Sequence, residues 1–244
     1  MASPALSPPP PLAADAALFL DFDGTLVELA ATPDGISVPD TLPSLLARLS
    51  ERLGGRIAVV SGRGAAEVAG YLRHPPLVVA GSHGLETLWP DGRIEAPPAP
   101  ATDALVREME DFAAARPGVL VERKPFGAAL HWRRAPDQGG DAERLAATLA
   151  ERHGLLLQPG KMVAELRPAG TDKGGAIRAL MARPDMAGAS PVFIGDDLTD
   201  EAGFVAVAEL GGAGILVGDP RPTAARYGLA DVAAVHAWLA AAAG

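Results

Sequence analysis

Short apolar runs without alternation recur along the chain, each closed by Gly, Asp or Ser: residues 17–22 (ALFLDF), 56–61 (RIAVVS), 77–81 (LVVAG), 192–195 (VFIG) and 214–217 (GILV). Runs of this length, apolar through their centres without alternation, predict strands buried on both faces. Between them lie segments of helical spacing. Leu42, Leu45, Leu46, Leu49 and Leu53 mark a helix from residue 40 that stops at Gly54-Gly55. Further helices are predicted at 65–72, 173–182 and 199–210, with an Ala-rich one from residue 231. Strand alternating with helix predicts a parallel α/β sheet. A hairpin around Pro90-Asp91-Gly92 spans 86–95.

The pattern changes after the Pro-rich 96–100. Helices at 102–115 and 141–153 there alternate with consecutive strands at 119–123, 128–133, 155–158 and 162–167, and polar alternation is stronger. From 169–171 the first pattern resumes. The predicted organisation is a doubly wound, mostly parallel α/β core (15–97 and 171–244) interrupted by an inserted α+β domain (98–170), behind a disordered Pro-rich leader (1–14).

Composition narrows the function. Lys and Arg total 21 against 30 Asp and Glu, a formal net charge of -9, which disfavours a nucleic-acid partner but not a small phosphorylated substrate. The absence of cysteine excludes disulfides, thiolate metal sites and cysteine nucleophiles. No stretch approaches the ~20 apolar residues of a membrane span. The leader lacks the basic start and apolar run of a signal peptide, so the expectation is a cytoplasmic protein, monomeric by default.

Three signals close three predicted core strands, the edge where open α/β sheets bind ligands. Asp21-Phe22-Asp23-Gly24-Thr25 puts two carboxylates at i and i+2, on one side of an extended chain. Burying both needs a proton or a cation, although acids before a glycine also cap turns. Ser61-Gly62-Arg63 offers a hydroxyl and backbone N–H groups to an anion; by itself such a serine is more simply an N-cap. Gly195-Asp196-Asp197-Leu198-Thr199-Asp200-Glu201 holds more acid than capping requires. Asp200 and Glu201 suit a helix's first turn, whereas Asp196 and Asp197 predict a hard divalent cation, Mg²⁺ by default. Lys173 puts a cation at a helix N-terminus beside Gly174 and Gly175, a local violation of the kind found at functional sites, with a solvated surface lysine as the plain alternative.

Together, Asp21-x-Asp23-Gly-Thr25, Ser61, Lys173 and Asp196-Asp197-x-x-Asp200 resemble the four ordered motifs of the haloacid-dehalogenase phosphatase superfamily, and the insertion looks like its type-2 cap. Within it, FLDFDGTLVELAATPD, VVSGR, AGSHGLE, VERKPFGAALHWR, MVAELRPAGTDKGGAI and FIGDDLTDEAGF are most similar to the trehalose-6-phosphate phosphatase family. The leader and the Ala-rich C-terminal end lie outside the likeness.

The resemblance implies Asp21 as nucleophile and Asp23 as general acid and base. It implies Mg²⁺ on Asp21, the Asp23 carbonyl and Asp196, with Thr25, Ser61 and Lys173 on the phosphoryl group. Asp197 and Asp200 would orient water ligands or Lys173. For the sugar, Glu122, Lys124 and Glu165 on cap strands are candidates, with Arg63, His83, Glu86 and His131; each is otherwise a surface polar residue or a salt-bridge partner. The cap would have to close over the site. Two alternatives stay open: another sugar phosphatase of the superfamily, acting on sucrose phosphate or a hexose phosphate, and a catalytically silent regulatory module, against which intact Asp21, Asp23, Lys173 and Asp196 speak.

Overall fold

The computed structural model describes residues 6–30, 32, 35–74, 76–98, 102–170 and 172–244; leader residues 1–5 and linker positions 99–101 and 171 lie outside the described residues. The elements in chain order are β1 (Ala16–Leu20), α1 (Leu42–Arg52), β2 (Ile57–Val60), α2 (Ala65–Tyr71), β3 (Val78–Gly81), β4 (Glu86–Leu88), β5 (Ile94–Glu95), α3 (Asp103–Ala114), β6 (Leu120–Lys124), β7 (Gly127–His131), α4 (Gly139–His153), β8 (Leu156–Gly160), β9 (Val163–Arg167), α5 (Lys173–Met181), β10 (Ser190–Gly195), α6 (Glu201–Glu209), β11 (Ala213–Val217), β12 (Tyr227–Leu229) and α7 (Val232–Ala243). The chain divides into two compact units, 1–96 with 171–244, and 97–170.

The first unit carries one sheet in the order β12-β11-β10-β1-β2-β3-β4-β5, parallel from β12 to β3 and antiparallel beyond. Its central strands are apolar throughout because both faces are covered. Leu18, Leu20, Ile57, Val59, Ile194 and Ile215 join a cluster with α1, α2 and α7 residues. Phe19, Ala58, Val60, Phe193 and Leu216 point the other way, into a cluster with Ile177 and Leu180 of α5 and Phe204 and Val207 of α6. The strand order reverses between β1 and β10, so their C-terminal ends flank a topological switch point.

Two expectations change. Residues 6–14 are laid onto the unit rather than disordered. Leu12 is buried, Leu6 packs on the second cluster, Gly228 N donates to Ser7 O at 3.0 Å, and Trp238 Nε1 donates to Pro10 O at 3.0 Å. Prolines are already restricted in φ, which lowers the entropic cost of such docking. The second change is β12, which lacks an apolar run and pairs in parallel with β11 at the sheet edge.

The second unit is an antiparallel sheet, order β6-β7-β9-β8, with α3 and α4 on one face. Ala128, Leu130, Ala164 and Leu166 face those helices. Period-two alternation therefore sends Glu122, Lys124, His131, Gln158, Glu165 and Arg167 to the opposite face. Among the described residues, no helix is long and apolar enough to cross a membrane.

Phe204 is fully buried, its ring 5.4 Å from that of Phe193. Phe204→Ala should lower unfolding stability by about 3–5 kcal/mol in urea titration; a loss below about 1 kcal/mol would show that this cluster does not hold α6 to the sheet.

Candidate active site

β1 ends at Leu20, and Asp21 continues its ladder by one bond, donating its N–H to Ile194 O at 2.9 Å. The chain then turns back over 21–27: Leu26 N and Val27 N both donate to Phe22 O. Phe22 is fully buried in the α1 side of the core, which leaves Asp21 facing the opposite way. The turn requires Gly24, at φ 81°, because a Cβ there would sit 2.2 Å from Asp196 Oδ2.

Lys173 Nζ donates to Asp21 Oδ1 and to Asp200 Oδ1, both at 2.6 Å, and all three side chains are buried. Asp200 Oδ2 accepts from the backbone N of Asp196 at 3.0 Å and of Asp197 at 2.9 Å. The expected clash of Lys173 with the helix dipole is resolved by these carboxylates and by Asp172, which caps α5 by accepting from Gly175 N at 2.8 Å. Thr25, buried, donates Oγ1 to Asp196 Oδ1 at 3.4 Å.

Carboxylate oxygens of Asp21, Asp196 and Asp200 lie within 4.8 Å of one another. Burial, then repulsion from Asp200, raises the Asp21 carboxyl well above its usual range despite Lys173. The same two causes push Asp196 up to about 7. Lys173 loses from burial but gains more from Asp200 and Asp21, so its net shift is upward. One ammonium against three close carboxylates leaves negative charge uncompensated, and the oxygen-only donors are those a hard divalent cation takes. The residues present therefore fit such an ion on Asp21 and Asp196.

The Asp23 side chain stands apart from this cluster. Arg63 grips it with two bonds, Nε to Oδ2 at 2.6 Å and Nη2 to Oδ1 at 2.9 Å, while Nη1 donates to Glu67 Oε1 at 2.6 Å. Glu67 carried no functional reading in the sequence; its place in the first turn of α2, four residues after Arg63, was the available signal. Ser61, buried directly after β2, accepts from Arg63 N at 3.1 Å.

His83 and Glu86 build the neighbouring loop. Ser82 and His83 both adopt positive φ, 51° and 57°. Non-glycine residues there cost about 1–3 kcal/mol each. Backbone bonds from His83 N to Ser61 O (2.9 Å) and Ser82 N to Arg63 O (2.7 Å) hold the loop against the Ser61-Gly62-Arg63 turn. The His83 ring covers Gly62, where a Cβ would meet it at 2.8 Å. Glu86, buried, accepts from Ser82 Oγ at 3.0 Å and from Ala65 N at 2.9 Å.

Asp197 corrects the expectation that capping does not explain it: its carboxylate accepts from Thr199 N at 3.2 Å and, with Asp200, forms a capping box on the 3₁₀ turn Leu198–Asp200. In the second unit, Lys124 Nζ donates to Glu165 Oε2 at 2.9 Å and lies 3.9 Å from Glu122 Oε1, while His131 Nε2 and Glu122 Oε2 pair at 2.8 Å. Burial opposes the charge of Glu122, but His131 and Lys124 outweigh it and lower its pKa.

A carboxyl with a raised folded pKa costs no stability below its ordinary value of 3.8, and its full penalty applies once pH exceeds about 7. In cation-free protein, Asp196→Asn should therefore raise stability at pH 8 by on the order of 2 kcal/mol and leave it unchanged near pH 3. Thermal unfolding at both values checks this, and an equal shift at both would refute it.

The trehalose-phosphatase family model matches residues 19–233. A curated protein of Sinorhizobium fredii named "Probable trehalose-phosphate phosphatase" is 44% identical over 216 residues, 87% of this chain and 81% of that protein. The trehalose-6-phosphate phosphatase of Escherichia coli K12 is 38% identical over 242 residues, 96% and 89% of the two chains. The crystal structure of a trehalose-6-phosphate phosphatase related protein superposes with a TM-score of 0.79 at 27% identity, covering 91% of this chain and 94% of that one. A haloacid dehalogenase-like hydrolase from Bacteroides thetaiotaomicron shares the fold at 17% identity and a TM-score of 0.61, over 91% and 98% of the chains. The chain belongs to the trehalose-phosphatase family.

Proposed function

We propose that this protein hydrolyses trehalose 6-phosphate to trehalose and phosphate through an aspartyl-phosphate on Asp21. The observation that carries the reading is the buried Asp21 carboxylate, held by Lys173 at 2.6 Å beside Asp196 at the switch point of the sheet. Family membership supports the sugar.

An Asp21 oxygen attacks phosphorus, and the bond from phosphorus to the sugar oxygen breaks. Asp23 gives its proton to the departing oxygen. It then takes a proton from the water that attacks the aspartyl-phosphate, and the phosphorus–Asp21 bond breaks to release phosphate. To act in this way Asp23 has to exchange its grip on Arg63 for the substrate. Thr25 and Ser61 offer hydroxyls to the phosphoryl oxygens, and Lys173 offers its charge. Asp21, the Asp23 carbonyl and Asp196 would hold Mg²⁺, which supplies the positive charge that lets two anions approach. Asp200 keeps Lys173 in place.

Selection of a neutral, polyhydroxylated disaccharide needs paired hydrogen bonds. Glu122, Lys124, Glu165 and His131 supply donors and acceptors on one face of the cap sheet, and their mutual pairs preorganise them. Ala129 lies in register between Glu122 and Glu165, which brings those two carboxylates onto one row of that face. Arg63, His83 and Glu86 are more fully engaged in positioning Asp23 and the adjoining loop, and contribute to the sugar through that geometry.

A panel of trehalose 6-phosphate, sucrose phosphate and hexose phosphates, assayed with Mg²⁺ and with chelator, tests sugar and metal together. Trehalose 6-phosphate should exceed the others in kcat/KM at least about tenfold, with activity lost to chelator and restored by Mg²⁺. Asp21→Asn should abolish phosphate release. A clear preference for another sugar phosphate would overturn the substrate. Glu165→Gln should raise KM for trehalose 6-phosphate about tenfold while sparing a small aryl phosphate; equal losses on both would remove Glu165 from sugar selection.

A further inference from the structure

The loop between β11 and β12 sends one arginine back under the Asp196-Asp197 turn. Arg221 is largely buried, its side chain 22% exposed. Its Nη2 donates to the main-chain oxygen of Asp197 at 2.7 Å and, at longer range, of Asp196 at 3.4 Å. Its Nη1 pairs with Glu201 and reaches Pro222 O at 3.3 Å. Glu201 in turn accepts from Ala224 N at 2.8 Å, which fixes the loop that carries the arginine.

The peptide groups around Asp196 and Asp197 are thus held from two directions. Asp200 Oδ2 takes both N–H groups, and Arg221 takes the carbonyls. A planar guanidinium can serve a carboxylate and two carbonyls at once; an ammonium on a flexible stem cannot. The Asp196 carboxylate faces Asp21 and Thr25, while Arg221 reaches its backbone carbonyl.

We propose that Arg221 is a positioning residue of the cation site: through the Asp196 and Asp197 carbonyls it sets the direction of the Asp196 carboxylate and thereby the affinity for a divalent cation. The inference rests on the reading of Asp21 and Asp196 as cation ligands. Arg221 touches neither cation nor substrate. The plainer role, a staple between the β11–β12 loop and α6, would act through Glu201 alone.

The two roles separate by experiment on the full chain, with Mn²⁺ alone as probe, read by electron paramagnetic resonance and calorimetry without substrate. Arg221→Met should raise the Mn²⁺ Kd about tenfold, and Arg221→Lys, which keeps the charge but loses the fork, by an intermediate factor. Glu201→Gln leaves the carbonyl contacts available and should stay within about threefold of wild type. The KM for sugar phosphate at saturating cation should stay within about twofold, because the cap residues are untouched. Should Arg221→Met fail to fold, Arg221→Lys against Glu201→Gln decides the question. A Kd for the arginine variants within about twofold of wild type, or a Glu201→Gln effect equal to theirs, overturns the proposal. Wild-type protein that binds no Mn²⁺ would instead sink the cation reading beneath it.

Discussion

One ammonium group stands between two buried carboxylates that lie 152 and 27 residues away in sequence. Lys173 at the start of α5, Asp21 at the end of β1 and Asp200 at the start of α6 meet with their side chains almost wholly buried, so each charge depends on the others. The remaining oxygen of Asp200 then holds the two backbone N–H groups that turn the chain after β10. This network ties two strand ends and two helix starts to one point, and Asp196 is presented to that point as a consequence.

The same constraint gives two acids only two residues apart different surroundings. Asp21 is enclosed with like charges and a lysine, while Asp23, carried away by the turn at Gly24, meets Arg63. The two acids are thereby kept apart, as the proposed roles of nucleophile and proton carrier require. The strained Ser82-His83 turn belongs to the second of these. It braces the Ser61-Gly62-Arg63 turn by backbone bonds, and the buried carboxylate of Glu86 holds the brace in place. Polar residues that suggest sugar chemistry in the sequence are here engaged in holding the Ser61-Gly62-Arg63 turn.

Much of the fold was legible because its strands are buried on both faces. A run such as 17–20 has no alternative solvent-facing register, and helices between such runs must cover the sheet. β12 was not legible, since three residues containing a glycine at a sheet edge carry no periodic signal. Nor was the docking of residues 6–14: proline-rich composition signals a lack of helix or strand, but the contacts of Leu12 and Trp238 depend on where distant surfaces lie. Asp197 was misread because a run of acids does not tell which of them caps the turn and which faces the site.

The sequence by itself determined the chemistry available: oxygen donors for a hard cation, paired acids closing a buried strand, a lysine without a local reason, and an inserted segment with polar strand alternation. Those follow from residue type and period, which are local properties. Only the tertiary structure decided the pairings, with Lys173 on Asp21 and Asp200, Arg63 on Asp23, Glu86 on the α2 terminus and Arg221 beneath the Asp196 turn. Electrostatic partnership falls off over a few ångströms and takes no account of distance along the chain. Which charge compensates which is therefore settled only once the sheet has brought its strand ends together.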